Sequence, residues 1–241
     1  MKVLIFNGSP RKEHSNTLQI TSAFTEGFPE DTEFTTINIY DSEILPCRGC
    51  FSCWGATEGS CVIRDDMQKI YPLIKDSDVL IFSFPLYFFG MPSQMKALAD
   101  RCLPLMIPYD GKSSDDKNAS FHKFRKYGAE KKRFVIISSC GYVSAENMYP
   151  ALTKQLDLIF NEDGYTSIFC PEGELFLFDQ ATRQREGYLS DVRSAGREYS
   201  QTFAFSEETA AKLSRPILSP KGFEKVTAVR WAEKNKHMSQ Q

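Results

Sequence analysis

The residues best suited to chemistry in this chain follow its first apolar segment. Lys2 to Asn7 can form a short strand. The next residues combine one proline and one arginine with several hydroxyl or amide side chains: Ser9, Pro10, Arg11, Ser15, Asn16 and Thr17. The Ser15 segment is typical of a helix N-terminus, where the first backbone N–H groups lack a partner within the helix. Such N–H groups and a nearby arginine favour an anion. The segment therefore predicts a phosphate-binding loop, with an ordinary capped turn as the alternative.

Two common phosphate motifs are absent from this segment. It contains neither the Gly-x-x-x-x-Gly-Lys-Ser/Thr pattern of Walker A loops nor the Gly-x-Gly-x-x-Gly pattern of dinucleotide-binding domains. The loop holds more hydroxyl residues than glycines. It therefore suits a terminal monophosphate better than a pyrophosphate that lies against bare backbone.

Four cysteines form the second chemical signal. Cys47, Cys50, Cys53 and Cys61 have the spacing Cys-x2-Cys-x2-Cys-x7-Cys. The first gaps agree with the bacterial ferredoxin pattern and the last gap differs from it. Zinc ribbons usually separate two Cys-x2-Cys pairs by more residues. Three alternatives stay open: an iron–sulfur cluster, metal-free thiols and a structural zinc.

An aromatic loop is the third signal. An apolar run ends in a loop of aromatic residues bounded by residues that favour turns: Pro85, Leu86, Tyr87, Phe88, Phe89 and Gly90. Such a loop at the end of a strand can form a flat wall for a planar ring. Taken alone, the same aromatic residues could equally fill the core at a sheet edge.

Apolar runs alternate with amphipathic segments along the chain. The predicted strands are Lys2–Asn7, Phe34–Tyr40, Asp78–Pro85, Arg133–Cys140 and Tyr165–Cys170. The predicted helices are a helix that begins at Ser15, then Asp65–Lys75, Met91–Met106, Asn147–Phe160 and Ala181–Phe203. This order predicts an α/β fold with a doubly wound parallel five-stranded sheet of order 2-1-3-4-5.

This strand order brings the chemical signals together. In such a sheet the ligand binds beyond the carboxyl ends of the strands, and the loops after strands 1 and 3 flank one crevice. The phosphate loop and the aromatic loop would then face the same ligand. The loop Ser138–Tyr142, which includes Gly141, would close a third side.

Length and charge limit the domain organisation and the partners. A chain of 241 residues predicts one domain over residues 1–205 and a C-terminal extension over residues 206–241, which packs on the domain or on a partner subunit. Residues 108–132 are polar and predict an exposed insertion. The net charge is −2 and the basic residues are scattered, so neither nucleic acid nor membrane is expected as a partner.

The cellular location is inferred from the first residues and the cysteines. The chain opens with a strand and a polar loop, and no apolar run approaches the length of a membrane span. Seven cysteines, four of them crowded together, argue against a secreted disulfide framework. We therefore expect a soluble, cytoplasmic protein.

Two sets of residues resemble the flavodoxin-like NADPH-dependent FMN reductase family. They are Gly8-Ser9-Pro10-Arg11 with Ser15-Asn16-Thr17, and Pro85-Leu86-Tyr87 with Met95-Lys96-Ala97-Leu98-Ala99-Asp100-Arg101. The resemblance covers roughly residues 1 to 170 and implies FMN as the cofactor. It assigns the first set, with Ser9 and Arg11, to the phosphate, and Pro85, Leu86, Tyr87, Phe88 and Gly90 to the isoalloxazine ring. The resemblance also assigns Gly141 and its neighbours to cofactor binding.

The cysteine segment is similar to that of the iron–sulfur flavoproteins. The resemblance rests on the four cysteines and the following Val62-Ile63-Arg64-Asp65-Asp66-Met67. It implies a [4Fe–4S] cluster beside FMN, with Cys47, Cys50, Cys53 and Cys61 as ligands. The cysteines are expected to share one loop near the flavin edge.

The resemblance implies an enzyme, with an electron carrier as the rival. The expected activity is that of an FMN-dependent NAD(P)H oxidoreductase that acts as a homodimer or homotetramer and passes electrons to an unknown acceptor. Because the cofactor supplies the electron chemistry, no catalytic side chain is nominated. The rival is a flavodoxin-like or iron–sulfur flavoprotein shuttle that a partner protein reduces.

Overall fold

The computed structural model describes residues 1–108, 124–125, 132–160 and 164–238, with side chains up to residue 232 in the last helix. The strands and helices, in chain order, are β1 (Lys2–Asn7), α1 (Asn16–Thr25), β2 (Glu33–Asn38), α2 (Met67–Asp76), β3 (Val79–Pro85), α3 (Ser93–Asp100), β4 (Arg133–Ser139), α4 (Pro150–Phe160), β5 (Thr166–Cys170), α5 (Thr182–Thr202), α6 (Glu207–Ser214) and α7 (Pro220–Met238). The predicted insertion at 108–132 lies mostly outside the described residues.

The five strands form one parallel sheet. Its order is β2-β1-β3-β4-β5, which confirms the predicted strand order. In the centre, Val3 pairs with Val79, and Val79 pairs with Arg133. The three central strands are buried along nearly their whole length, as expected for strands with helices on both faces. The carboxyl ends of the strands therefore lie along one edge of the sheet.

Alternate residues of each strand feed two separate cores. Val3 and Ile5 point to the face covered by α1, α5 and α6, whereas Leu4 and Phe6 point to the face covered by α2, α3 and α4. Helices α1 and α5 cross closely, because a β-carbon on Gly196 would meet the Phe24 carbonyl oxygen at 1.9 Å. The sheet therefore lies between two layers of helices.

The third helix is shorter than the predicted Met91–Met106. It covers only Ser93–Asp100, and the separate 3-10 turn Leu103–Leu105 follows it. Pro92 disfavours a helical conformation at Met91, and Pro104 has no N–H to donate to the Asp100 carbonyl oxygen four residues earlier, so the two prolines limit the helix at its ends. The predicted helix was wrong at both boundaries. Residues 101–104 lie outside the helix and contact other parts of the chain.

The C-terminal extension contains two helices that contact the domain. Phe223 of α7 and the partly buried Ile217 and Leu218 pack around Leu175 and Phe178, which follow β5. The extension therefore consists of α6 and α7. No helix in the described part of the chain is both long and apolar enough to cross a membrane.

Candidate functional site

Four loops meet at the carboxyl edge of the sheet, and side chains and backbone join them. The loop after β3 connects to the end of β4, because the Leu86 N–H donates to the Ser139 carbonyl oxygen at 2.8 Å. The Ser139 hydroxyl lies 2.6 Å from the Thr17 hydroxyl at the start of α1. The Asn16 amide donates to the Gly173 carbonyl oxygen at 2.7 Å, after β5. Thus the first, third, fourth and fifth strands all contribute to one site.

Asn7 fixes the shape of the loop after β1. Its side chain is fully buried at the end of the strand. The Asn7 Oδ1 accepts from the Ser9 N–H at 3.2 Å, and the Asn7 Nδ2 donates to the Lys12 carbonyl oxygen at 3.0 Å. Lys12 adopts a left-handed φ of 50°, so the loop turns back sharply towards the helix. A buried amide whose hydrogen bonds are satisfied holds this loop in one conformation.

The start of α1 presents groups that can bind an anion. The Ser15 Oγ caps the helix by accepting from the Leu18 N–H, which leaves the N–H groups of Asn16 and Thr17 as the first helical donors. Arg11 is exposed at this position, and its Nη1 donates to the Asn16 Oδ1 at 3.0 Å. Preformed donors at a helix N-terminus, with an exposed arginine beside them, can hold a phosphate group.

The predicted phosphate residues come together, although their hydroxyl groups are not all free. Ser9, Ser15 and Thr17 are buried, whereas Pro10 is exposed. The Thr17 hydroxyl pairs with Ser139, and the Ser15 oxygen is engaged as a helix cap. The arrangement therefore offers backbone N–H groups and Arg11 to an anion, with these two hydroxyl groups mainly in supporting positions.

Gly8 lies where a side chain would displace its neighbours. A β-carbon there would stand 2.6 Å from the Met95 Cε and 3.1 Å from the Phe84 Cβ. The Gly8 N–H also donates to the Ser83 carbonyl oxygen at 2.8 Å. This glycine lets the first loop lie directly against β3 and α3.

The aromatic loop after β3 forms a tight exposed turn. The Tyr87 and Gly90 backbones exchange two hydrogen bonds, of 3.1 and 3.0 Å. Phe88 and Phe89 between them have left-handed φ values of 49° and 63°, which non-glycine residues rarely adopt. The Phe88 side chain is 100% exposed. Strain together with exposed aromatic area points to a binding surface.

Tyr142 extends this aromatic surface from the loop after β4. Its ring stacks on that of Phe89, with ring centroids 6.1 Å apart and an angle of 20° between the planes. Tyr142 is about half exposed, as are Tyr87 and Phe89. The predicted residue Gly141 lies beside it and is exposed. The sequence signal for Tyr142 was its place after a buried strand, next to a glycine.

The loop after β5 contributes a buried carboxyl group that the sequence reasoning missed. Glu172 is fully buried with a left-handed φ of 55°. Its Oε2 accepts from the Ile217 and Leu218 N–H groups at 2.5 and 2.9 Å, so it ties the C-terminal extension to the site. Burial raises the pKa of this carboxyl group. The available signal was the Pro-Glu-Gly sequence directly after a predicted strand.

The four cysteines lie in the loop between β2 and α2 and surround one small cavity. The cavity has a volume of about 20 Å³, and its wall also includes four residues at the C-terminal end of α3 and just after it: Asp100, Arg101, Leu103 and Pro104. Cys50 is exposed and Cys53 is buried. Burial raises the pKa of the Cys53 thiol, whereas hydrogen bonds involving Ser52 lower the pKa of the Cys50 thiol. The thiols thus share one site, at the end of α3 opposite to the aromatic loop.

This arrangement bears on which metal group the thiols could hold. Within the described residues, no three cysteine, histidine or carboxylate groups are placed to hold a single metal ion. Zinc requires four ligands that converge on one point. In a [4Fe–4S] cluster each cysteine binds a different iron, so the thiols must surround a volume instead. Four thiols at one cavity match the number and type of ligands of a [4Fe–4S] cluster, but a cavity of about 20 Å³ has room for roughly one water molecule, so the loop would have to open around a cluster.

A larger cavity lies away from this edge of the sheet. It has a volume of about 610 Å³ and an apolar wall between α3, α4 and the sheet face formed by Leu80, Phe82 and Phe134. None of the predicted cofactor-binding residues lines it. The convergent polar groups and the helix N-terminus are at the carboxyl edge instead, and we therefore place the candidate site there.

Comparison with known proteins gives a consistent result. The family model of the NADPH-dependent FMN reductases matches residues 1–124. The chain is 39% identical over 109 residues to an iron–sulfur flavoprotein of Methanocaldococcus jannaschii, a match that covers 45% of this chain and 55% of that protein. It is 35% identical over 104 residues to an iron–sulfur flavoprotein of Archaeoglobus fulgidus, covering 43% and 46% of the two chains. The matches thus span about half the length of these relatives.

Solved structures share the fold at low sequence identity. An FMN-dependent NADH-azoreductase from Bacillus anthracis, in complex with FMN, has a TM-score of 0.55 and 18% identity, and the match covers 83% of this chain and all of that chain. An NAD(P)H:quinone oxidoreductase from Methanothermobacter marburgensis has a TM-score of 0.59 and 17% identity, with 82% and 98% of the two chains covered. These likenesses establish the doubly wound architecture.

Proposed function

The chain belongs to the NADPH-dependent FMN reductase family, and we propose that it binds FMN at the carboxyl edge of the sheet and carries electrons from NAD(P)H to an acceptor. The observation that carries this proposal is the loop from Asn7 to Thr17. It combines a fixed conformation, the free first N–H groups of α1 and an exposed Arg11. These groups suit the terminal phosphate of FMN.

The aromatic residues would hold the planar part of the cofactor. Tyr87, Phe88 and Tyr142 expose ring faces at the same edge of the sheet as the phosphate loop. Pro85 and Leu86 bring this turn to the sheet, where the Leu86 N–H is bonded to β4. A flat ring can stack on such side chains. FMN would therefore have an anion site for its phosphate and an aromatic wall for its ring.

Bound FMN supplies the redox chemistry, since it can take two electrons from a nicotinamide and pass them on. The protein's own residues would bind the cofactor and orient it. Arg11 and the α1 N–H groups would fix the phosphate, and Tyr87 and its neighbours would fix the ring plane. Ser139 and Asn16 connect the loops, so they would keep these two parts at a constant separation.

The nicotinamide and the acceptor are proposed to use the open face between the turn at Tyr87 and the loop at Gly141. Both segments are exposed. Support comes from the activities named for the structures with the same fold, an NADH-azoreductase and an NAD(P)H:quinone oxidoreductase. These names give a class of acceptor, small aromatic or quinoid molecules, and both nicotinamide nucleotides should be tested.

The decisive experiment is FMN binding followed by reduction. We expect one FMN per chain, much weaker binding of riboflavin, which lacks the phosphate, and loss of the flavin absorbance within seconds after NADH or NADPH is mixed in. Equal affinity for FMN and riboflavin would reject the phosphate site. If FMN binds but neither nucleotide reduces it within minutes, the protein is an electron shuttle, the rival function.

A [4Fe–4S] cluster in the cysteine loop is the second candidate function. It is supported by the four thiols around one cavity and by the names of the similar iron–sulfur flavoproteins. Cys47, Cys50, Cys53 and Cys61 would bind the irons, and the cluster would carry single electrons. Anaerobic reconstitution should give four irons and four sulfides per chain. Zinc alone, or neither iron nor sulfide, would refute the cluster.

We also propose that the chain works as a homodimer or homotetramer. A fully exposed Phe88 on a strained turn, with Tyr87 and Phe89 partly exposed beside it, is unusual for a surface in contact with water only. Light scattering with size-exclusion chromatography should give two or four times the monomer mass of 27.4 kDa. A monomer at micromolar concentration would contradict this.

A further inference from the structure

Arg101 carries a charge that the fold has buried completely. It follows α3, and the side chains of Arg101 and Asp65 are both 0% exposed. The Arg101 Nη1 donates to the Asp65 Oδ2 at 2.5 Å, and the Nη2 donates to the Asp65 Oδ1 at 3.0 Å. Replacing such a buried pair with apolar residues is often neutral or stabilising, so stability alone is a weak explanation for it. The contacts of the pair suggest another reason.

The pair joins the two ends of the cysteine loop. Leu45 and Ile63 flank this loop, which comprises residues 46–62. The Arg101 Nη1 donates to the Leu45 carbonyl oxygen at 2.7 Å, and the Nη2 donates to the Ile63 carbonyl oxygen at 3.5 Å. Asp65 accepts from the Leu45 N–H at 2.9 Å. One ion pair therefore holds both ends of the loop against the end of α3.

Arg101, which lines the cysteine cavity, also has one N–H donor without a partner among the described residues. Its Nε is buried and has no hydrogen-bond partner among the described residues. Leaving a buried N–H without a partner is unfavourable, so its retention points to an acceptor. Arg101 lines the same cavity as the four cysteines, and its charge interacts with Cys61. Cysteine sulfur or inorganic sulfide is the acceptor that this cavity would provide.

Other charged residues at the cavity do not supply a buried N–H donor. Arg48 is exposed at the cavity rim, and Asp100 forms an exposed ion pair with Lys96. Because Asp65 balances the charge of Arg101, the distinctive contribution of Arg101 to the cavity is a directed N–H donor, not a net positive charge. Such donors to sulfur stabilise the more negative, reduced form of a cluster.

We propose that Arg101 is the positioning residue of the cysteine site: it clamps both ends of the loop and directs its Nε hydrogen to the sulfur of an iron–sulfur group. The clamp is independent of any metal. The donor role rests on the cluster suggested under the proposed function. Two measurements separate these parts.

The first measurement is hydrogen exchange of loop residues 46–62 in the metal-free, FMN-bound protein. Arg101→Lys keeps a cation but cannot make the paired contacts to Asp65 and both carbonyls. We expect loop amides to exchange at least about tenfold faster, with the rest of the sheet unchanged. Arg193→Lys makes the same change in the exposed pair with Glu26 and should have no effect on the loop. Unchanged loop exchange in Arg101→Lys would overturn the clamp.

Asp65→Asn is the second variant, and it also serves if Arg101→Lys fails to fold. It weakens the pair but leaves the Arg101 Nε in place. We expect faster loop exchange in this variant as well. A loop that exchanges as in the wild type would count against the clamp.

The second measurement is the reduction potential of the reconstituted cluster, followed by electron paramagnetic resonance. Arg101→Lys should shift the potential to a lower value, whereas Asp65→Asn should not lower it, because it retains the donor and removes the charge that balances Arg101. Equal potentials in wild type and Arg101→Lys would overturn the donor role. If wild type assembles no iron and sulfide, the cluster and the donor role both fall, while the exchange result still decides the clamp.

Discussion

The phosphate loop and the aromatic turn lie at the same edge of the sheet but are built in opposite ways. In the first, Asn7, Ser9 and Ser15 are buried and hydrogen-bonded, so the loop is fixed before any ligand arrives. In the second, Phe88 and Phe89 are exposed and strained. The phosphate loop is therefore preorganised, whereas the turn gives up stability to keep aromatic surface available.

The largest expected effect concerns the arginine of the phosphate loop. Arg11→Met should cost about 1.5–3 kcal/mol of FMN affinity, roughly 10- to 100-fold, because a charge-assisted hydrogen bond is lost. The affinity for riboflavin should not change. Arg197→Met removes one exposed arginine from α5 and is the matched control. Equal losses for FMN and riboflavin, measured by fluorescence titration, would show that Arg11 acts on the fold and not on the phosphate.

The second prediction tests whether the loops are held by buried hydroxyl groups. Thr17→Val leaves the buried Ser139 hydroxyl without its partner, and we expect a loss of about 1–3 kcal/mol in the free energy of unfolding. The double variant Thr17→Val with Ser139→Ala removes both partners and should recover part of that loss. Urea unfolding of the four proteins in the cycle gives the coupling. Additive effects would mean that this pair does not connect the loops.

The third prediction concerns a variant of the aromatic turn that loses both the backbone strain and the exposed aromatic side chains. Asparagine and glycine suit two-residue turns with left-handed φ values, so Phe88→Asn with Phe89→Gly should stabilise the fold by about 1–2 kcal/mol. The same change should weaken FMN binding or subunit association, because the aromatic surface is lost. Thermal unfolding and FMN titration measure both effects. A destabilised variant with unchanged binding would contradict the contrast between the two loops.

The smallest expected effect is the pH dependence of Glu172. Its pKa is raised by burial, so the stability that its neutral form contributes is present below the unfolded value, near 4.3, and is lost as the pH rises through the folded value. Glu172→Gln should flatten the fall in unfolding free energy over this window by less than about 1.4 kcal/mol per pH unit. Unfolding in urea at several pH values is the measurement, with Glu224→Gln as the control for one lost carboxyl group. Identical pH profiles for wild type and Glu172→Gln would refute it.

The sequence by itself determined the architecture and the edge of the sheet at which the candidate site is proposed. Unbroken apolar runs such as Val79–Pro85, alternating with amphipathic segments, led to the correct strand order. Once that order is known, the loops after β1 and β3 must share an edge. Local signals also located the phosphate loop and the aromatic turn, because caps, glycines and prolines act over a few residues. The roles of individual residues there are still predictions.

The tertiary structure decided which side chains hold these loops in place. The contacts from Thr17 to Ser139 and from Asn16 to Gly173 join residues 122 and 157 positions apart, and the Asp65–Arg101 pair spans 36. The buried Glu172 depends on a C-terminal segment whose packing no local pattern revealed. Hydrogen bonds and burial at such separations depend on how helices and loops fit against the sheet. Helix caps and apolar periodicity report only on neighbouring residues, and so they cannot reveal these contacts.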